Sequence, residues 1–214
     1  IRRAAPIVEK SPKPADRARM SGYQAFVAAN KGSSEEALML ARAAAAQWRD
    51  IVAQAAGTGA RSLSQLPGMT NGFEAELAMA LNLEAGMLLR TGDVTGAYAG
   101  AAEAALIIKR VDGEPSWWES DTLVTLGNVS SAQSRLSAAE AYLKKAIDLR
   151  KKAFGEGLAT LQARVALGRA YQAEHMNVSA IIVFREAIAI AKTLPRDTAP
   201  IRAEDIIPFA EAIV

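Results

Sequence analysis

Residues 137–155 read SAAEAYLKKAIDLRKKAFG, and the sizes of their side chains decide the fold. Good helix formers run throughout, and Gly155 stands where a helix should stop. The apolar stripe alternates between alanine (Ala139, Ala146) and larger residues (Leu143, Ile147). A helix facing one large core would carry leucine at most of these positions. A helix that must lie close against a neighbour needs small ones, because interaxial distances at the short end of about 8–10 Å require small contact side chains.

The same spacing returns along the chain. Ala139, Leu143 and Ala146 recur as Ala180, Phe184 and Ala187, as Ala97, Ala101 and Ala104, and as Ala37, Ala41 and Ala44. Upstream of each set lies a second helical segment. It carries a small residue 19 positions before the last alanine: Gly127, Gly168, Ala85 and Ala25 in turn. Leucine precedes the glycine in LGNV at 126–129 and in LGRA at 167–170. The period is 41 or 42 residues between the later copies and 60 between the first two. The stretch GTGARSLSQLPGMTNG at 57–72 accounts for most of that excess and reads as a loop insertion, assigned to 57–71.

Each copy is therefore a helix, a turn and a second helix, expected at 14–29 with 34–56, 72–90 with 94–110, 117–132 with 137–154, and 157–174 with 177–193. Ser116 and Glu119 form a capping box for the third pair, with Pro115 just outside it. Gly57, Gly113 and Gly155 fall at or just past the ends of second helices, and Pro195 closes the fourth pair. Residues 1–13 form an N-terminal extension, 14–195 the repeats, and 196–214 a capping helix limited by Pro208 or a further repeat cut short. Gly127 is expected against Ala139 and Ala146, with Leu126, Leu143 and Ile147 filling the flanks. A unit this small cannot bury its own apolar face and must stack on its neighbours. The expected fold class is an all-α solenoid of antiparallel helix pairs.

Composition agrees. The chain is 50% hydrophobic but only 6% aromatic, so alanine and aliphatic residues do the packing. Alternating β-branched runs are too few for a sheet protein. No apolar run approaches the ~20 residues that span a bilayer. The formal net charge is +2, with basic residues scattered among acidic ones, which gives no nucleic-acid surface. Cysteine is absent, so there is neither a disulfide framework nor a thiol nucleophile, and either a cytoplasmic or an exported setting fits. The opening IRRAAP, without methionine, reads as part of a longer polypeptide.

The pattern resembles the tetratricopeptide repeat. That family places a large and a small residue in its first helix (Leu126–Gly127; Leu167–Gly168, with Tyr171 three on) and small, bulky, small in its second (Ala139, Leu143, Ala146; Ala180, Phe184, Ala187). The usual period is about 34 residues, so this chain is longer by about two turns. Repeats of this length resemble kinesin-light-chain-like and bacterial ones, with AIDLRKKAFG at their junction. The resemblance implies a right-handed superhelix and a noncatalytic protein- or peptide-binding scaffold. The run GRAYQAEHMNVSAIIVFREAIAIAKTL further resembles the repeat region before the caspase-like CHAT domain of some bacterial proteins. That implies the recognition or regulatory part of a larger protein, with any peptidase outside this chain.

Catalytic constellations are thin. His175, the only histidine, reads as an exposed turn residue in AEHMN. A lone imidazole without Cys or a second His makes no typical zinc site, so neither metal nor cofactor is expected. Ser130 and Ser131 lie in a helix with no histidine near in sequence, and GTGARS at 57–62 follows a helix rather than a strand, so it is no phosphate loop. The carboxylates of SSEE, GFEAE and WWESD read as helix-start charges. Trp117 and Trp118 read as packing residues, and Lys144–Lys145 and Arg150–Lys152 as a solvated outer face.

In the family resembled, the first helix of each pair lines a concave groove. Counting from the small residue, its groove positions here are Arg19 and Phe26 in the first pair, and Asn82 and Arg90 in the second. The third pair offers Asp121, Val124, Asn128 and Ser131, and the fourth Gln162, Val165, Arg169 and Gln172. Asparagine can bond both sides of an extended backbone and arginine can pair with a carboxylate. The candidate binding residues are thus Asn82, Arg90, Asp121, Asn128, Ser131, Arg169 and Gln172. Self-assembly through solenoid ends, giving a homo-oligomer, and small-molecule binding are the alternative functions.

Overall fold

A computed structural model describes residues 13–58, 72–112, 117–194, 206, 207 and 211, with the side chains at 57, 58, 112, 117 and 118 excepted. The extension before residue 13, most of the insertion, Gly113, the Ser116 capping box with Pro115, Pro195, Pro208 and the packing of Trp117 and Trp118 lie outside the described residues. The chain divides into two compact units, Ile1–Glu114 and Pro115–Val214.

The first unit holds α1 (Pro14–Asn30), α2 (Ser34–Thr58), α3 (Gly72–Arg90) and α4 (Val94–Asp112). The second holds α5 (Trp117–Ala132), α6 (Leu136–Phe154), α7 (Leu158–Ala173) and α8 (Asn177–Thr193). All regular structure among the described residues is helical, as expected, and the boundaries depart from the sequence reading by two residues at most. Helix α2 continues to Thr58, so Gly57 lies inside its last turn rather than beyond it.

Within each unit the helices pair as α1 with α2, α3 with α4, α5 with α6 and α7 with α8. The second helix of one pair packs on the first helix of the next, which brings α1 beside α3 and α5 beside α7. Short turns force the antiparallel arrangement, and all four are built alike. Seven residues after Ala25, Ala85, Gly127 and Gly168 stand Gly32, Gly92, Ser134 and His175, at φ 85°, 91°, 53° and 57°. Next in the chain, Ser33, Asp93, Arg135 and Met176 donate N–H to the carbonyls of Ala28, Leu88, Ser130 and Tyr171 at 2.9–3.0 Å. This is the Schellman cap, which satisfies carbonyls that a helix end would otherwise orphan. The same residues then accept from Ala37, Ala97, Ala139 and Ala180, where the second helices begin. The repeat is written in the backbone as well as in side-chain size.

The small residues are buried at the crossings. A Cβ added at Gly127 would come within 2.5 Å of Leu143 Cγ, and one at Gly168 within 2.5 Å of Phe184 Cε1. Leu143 thus lies over Gly127 itself, not on its flank as the sequence reading had it. In the second unit Leu143, Leu161, Tyr171, Phe184 and Ile190 share one core, which Ile206 joins. In the first, Trp48 is the largest fully buried side chain, packed with Leu77, Leu81 and Ile107 and set 6.3 Å from the ring of Phe73.

Candidate functional site

The first helices of adjacent pairs lie side by side in each unit, so their outer stripes form one face per unit. In the first unit, Arg19, Tyr23, Phe26 and Asn30 follow one another on α1 at spacings of four, three and four residues. Tyr23 and Phe26 stand well exposed. Met79, Asn82, Gly86 and Arg90 follow a parallel stripe on α3. Two hydrogen bonds hold the helices together. Arg19 Nε donates to Glu76 Oε1 at 2.7 Å, and Arg90 Nη2 donates to the Ala29 carbonyl at 3.3 Å. Arg19 also rests over the Trp48 ring, 5.5 Å from its centroid, in cation–π geometry. Asn82 is half-buried, and its Oδ1 has no hydrogen-bond partner among the described residues. A Cβ at Gly22 or Gly86 would meet nothing within 4 Å, so the face has open ground along it.

The second unit presents Asp121, Asn128 and Ser131 on α5, and Gln162, Arg169 and Gln172 on α7. Asp121, Gln162 and Arg169 are exposed, and Asn128, Ser131 and Gln172 are half-buried. Val124 is half-buried, but Val165 is buried in the core, so that counted groove position faces inward. Seven candidate binding residues thus divide into Asn82 and Arg90 on one face and the other five on the second. Their helical spacing was legible in the sequence. Their local partners were not.

Arg150 is the side chain that sequence reasoning misplaced. Expected on the solvated outer face, it is 5% exposed. Its Nε donates to Ser120 Oγ at 3.1 Å, its Nη1 to the Ala159 carbonyl at 2.6 Å, and its Nη2 to Asp121 Oδ1. A signal was available: Ala139, Leu143, Ala146, Ile147 and Arg150 form one stripe at spacings of four, three, one and three, so the arginine extends the apolar face inward. The lysines beside it do lie outside, each with a carboxylate: Lys144 with Glu140, Lys145 with Glu119, and Lys151 with Glu156 at 3.0 Å. These pairs offset the charge of three of the lysines on this surface.

The titratable groups follow the same logic. Hydrogen bonds from Lys144 and then Tyr171 hold the Glu140 carboxyl below its ordinary range. Glu140 in turn raises Lys144, and burial, followed by the bond to Glu140, raises the Tyr171 phenol. Burial works to raise Glu156, but Lys151 and Arg164 outweigh it and leave the carboxyl lowered. Glu35 and Glu36, Glu74 and Glu119 sit in the first turns of α2, α3 and α5, as the dipole argument required. His175 is exposed in its turn. No group of three or more His, Cys, Asp or Glu side chains among the described residues is placed to hold a metal, and no described helix is long and apolar enough to cross a membrane.

Comparison with known proteins bears on this arrangement directly. The tetratricopeptide repeat family matches residues 118–193. Among solved structures, the nearly identical TPR-like repeats of a kinesin light chain from Podosopora anserina superpose with a TM-score of 0.59 at 19% identity, covering 95% of this chain and 97% of that one. BtubC (BKLC) from P. vanneervenii gives a TM-score of 0.63 at 17% identity, covering 97% of this chain and 86% of that one. No curated protein sequence matches the chain. Residues 118–193 are therefore tetratricopeptide repeats, and the fold of the chain is TPR-like, as the resemblance implied. The comparisons bring no link to a CHAT domain.

Proposed function

We propose that this chain is a noncatalytic scaffold that binds an extended protein segment along the first-helix faces, as the recognition part of a larger bacterial protein. Tetratricopeptide repeats generally mediate protein–protein interactions, and the matched repeats make that the coarse function here. The observation that carries the finer reading is the side-by-side placement of α1 with α3 and of α5 with α7. The reading is supported by the amide, guanidinium, hydroxyl and carboxylate groups these helices carry: Asn82 and Arg90 on α3, Asp121, Asn128 and Ser131 on α5, and Arg169 and Gln172 on α7. Such groups bond the N–H and C=O of an extended backbone without requiring one sequence. Selecting peptides from a random phage-displayed library against the full chain, then mapping hydrogen exchange with a selected peptide bound, tests the reading. Protection on α1 and α3 or on α5 and α7 is expected. Protection confined to α2, α4, α6 and α8 would reject it.

Self-association is the second reading, favoured by one feature. Val178 and Ile182, four residues apart on α8, are 74% and 53% exposed. Light scattering at high concentration that shows a strict monomer would remove it.

A further inference from the structure

We propose that Arg150 is the positioning residue of the second unit, a strut that fixes the separation of the α5 and α7 faces without itself meeting a partner. Among the described residues it is the only charged residue that is buried. Its guanidinium reaches three acceptors on two helices other than its own: Ser120 and Asp121 at the start of α5, and the Ala159 carbonyl at the start of α7. A planar guanidinium presents donors in a fixed fork, so three acceptors met at once fix both distance and angle between the helices that carry them. Lysine, with one nitrogen on a flexible stem, cannot reproduce that. Asp121 is more than half exposed while its guanidinium partner is almost fully buried. The carboxylate that anchors the strut therefore also stands on the face that a partner would meet. In its function as a binding-face strut this inference rests on the reading above; as a geometric device it stands alone.

Among the described residues, the other ion pairs that join helices of this unit do different work. Lys145 also joins α6 to α5, through Glu119, but both groups are partly exposed and the pair does not reach α7. Arg164 joins α7 to α8 and to Glu156, leaving α5 untouched. Burial gives the Arg150 contacts their weight, since an exposed ion pair is weakened by water while a buried guanidinium left without acceptors has no solvent to replace them.

The absence of cysteine makes the test clean. Spin labels attached through Ala132→Cys at the end of α5 and Ala173→Cys at the end of α7, both exposed positions, report the separation of the two faces in the full chain by pulsed dipolar spectroscopy. Arg150→Met and Arg150→Lys are each expected to broaden the distance distribution by about twofold or more, with Lys145→Met leaving it as in the parent. Asp121→Asn, at an exposed position, is expected to broaden it as well. If Arg150→Met fails to fold, Arg150→Lys and Asp121→Asn decide. Distributions as narrow as the parent's in those variants, or equal broadening in Lys145→Met, would overturn the strut. Because these distances are read with no partner present, failure of the binding reading shows separately, in the exchange experiment above.

Discussion

The two units bring their paired helices together at equivalent places by different divisions of size. Sixteen residues separate the contact positions in every pair, Ala25 from Ala41, Ala85 from Ala101, Gly127 from Leu143 and Gly168 from Phe184. The first unit carries buried alanine at both positions, and a Cβ added at Gly100 of α4 would stand 3.4 Å from Ala85 Cβ, an ordinary contact. The second removes the side chain from one helix entirely and fills the space from the other with leucine or phenylalanine. What every pair shares is a small residue at the first-helix position, whereas the residue facing it ranges from alanine to phenylalanine. The turns differ in a parallel way. The first unit uses glycine at both positive-φ positions, whereas the second uses Ser134 and His175, which adopt that conformation at a steric cost.

Substitutions that break the contrast should do so in graded fashion. Phe184→Ala empties the space over Gly168 and should cost about 3–5 kcal/mol in chemical denaturation. Its counterpart in the first unit, Ala101→Gly, removes far less and should cost about 1 kcal/mol. Gly127→Leu or Gly168→Leu forces the paired helices apart and should cost roughly 1–3 kcal/mol or more. If both variants kept the parent's denaturation midpoint, those glycines would not be the contact points. Converting the second unit's solution into the first's is the sharper measurement. Gly127→Ala and Leu143→Ala together should be less damaging than the sum of the two singles, with a coupling of about 0.5–3 kcal/mol.

Exchanging turn residues should reverse sign between the units. Ser134→Gly and His175→Gly should each stabilise by up to about 1 kcal/mol, since they relieve a left-handed residue. Gly32→Ala and Gly92→Ala should destabilise by about 1–2 kcal/mol for the converse reason. The smallest effect concerns Glu140, a group the first unit lacks at the matching places, Leu38 and Tyr98. Its folded pKa lies below the unfolded one, so its contribution is complete above the ordinary carboxylate range and disappears as pH falls through the folded value. Glu140→Gln should lower neutral-pH stability by about 0.5 kcal/mol or less and flatten the acid limb of the stability profile.

Much of this was legible before any coordinates. Alanine and glycine at fixed offsets located eight helices, their pairing and the tight crossings, because side-chain size limits how near two backbones can come. Beyond the shifted places of Gly57, Leu143 and Val165, two features escaped. The positive φ of Ser134 and His175 was hidden, although both turns were placed, because neither residue advertises that conformation as Gly32 and Gly92 do. Arg150 was hidden because its neighbours Lys151 and Lys152 point outward and charge usually follows water. Its place on the stripe of Ile147 and Leu143 put it inside, and Ser120, Asp121 and Ala159 made that position tolerable.

Local order, helix length and repeat register follow from the sequence by itself, since each depends on residues within a turn or on a fixed count along the chain. Which polar groups face one another does not. Arg150 meets Asp121 across 29 residues and Arg19 meets Glu76 across 57, and no spacing rule reaches that far. Those meetings arise only when helices distant in the chain are laid side by side, because a hydrogen bond depends on position in space and is indifferent to the length of chain between its ends.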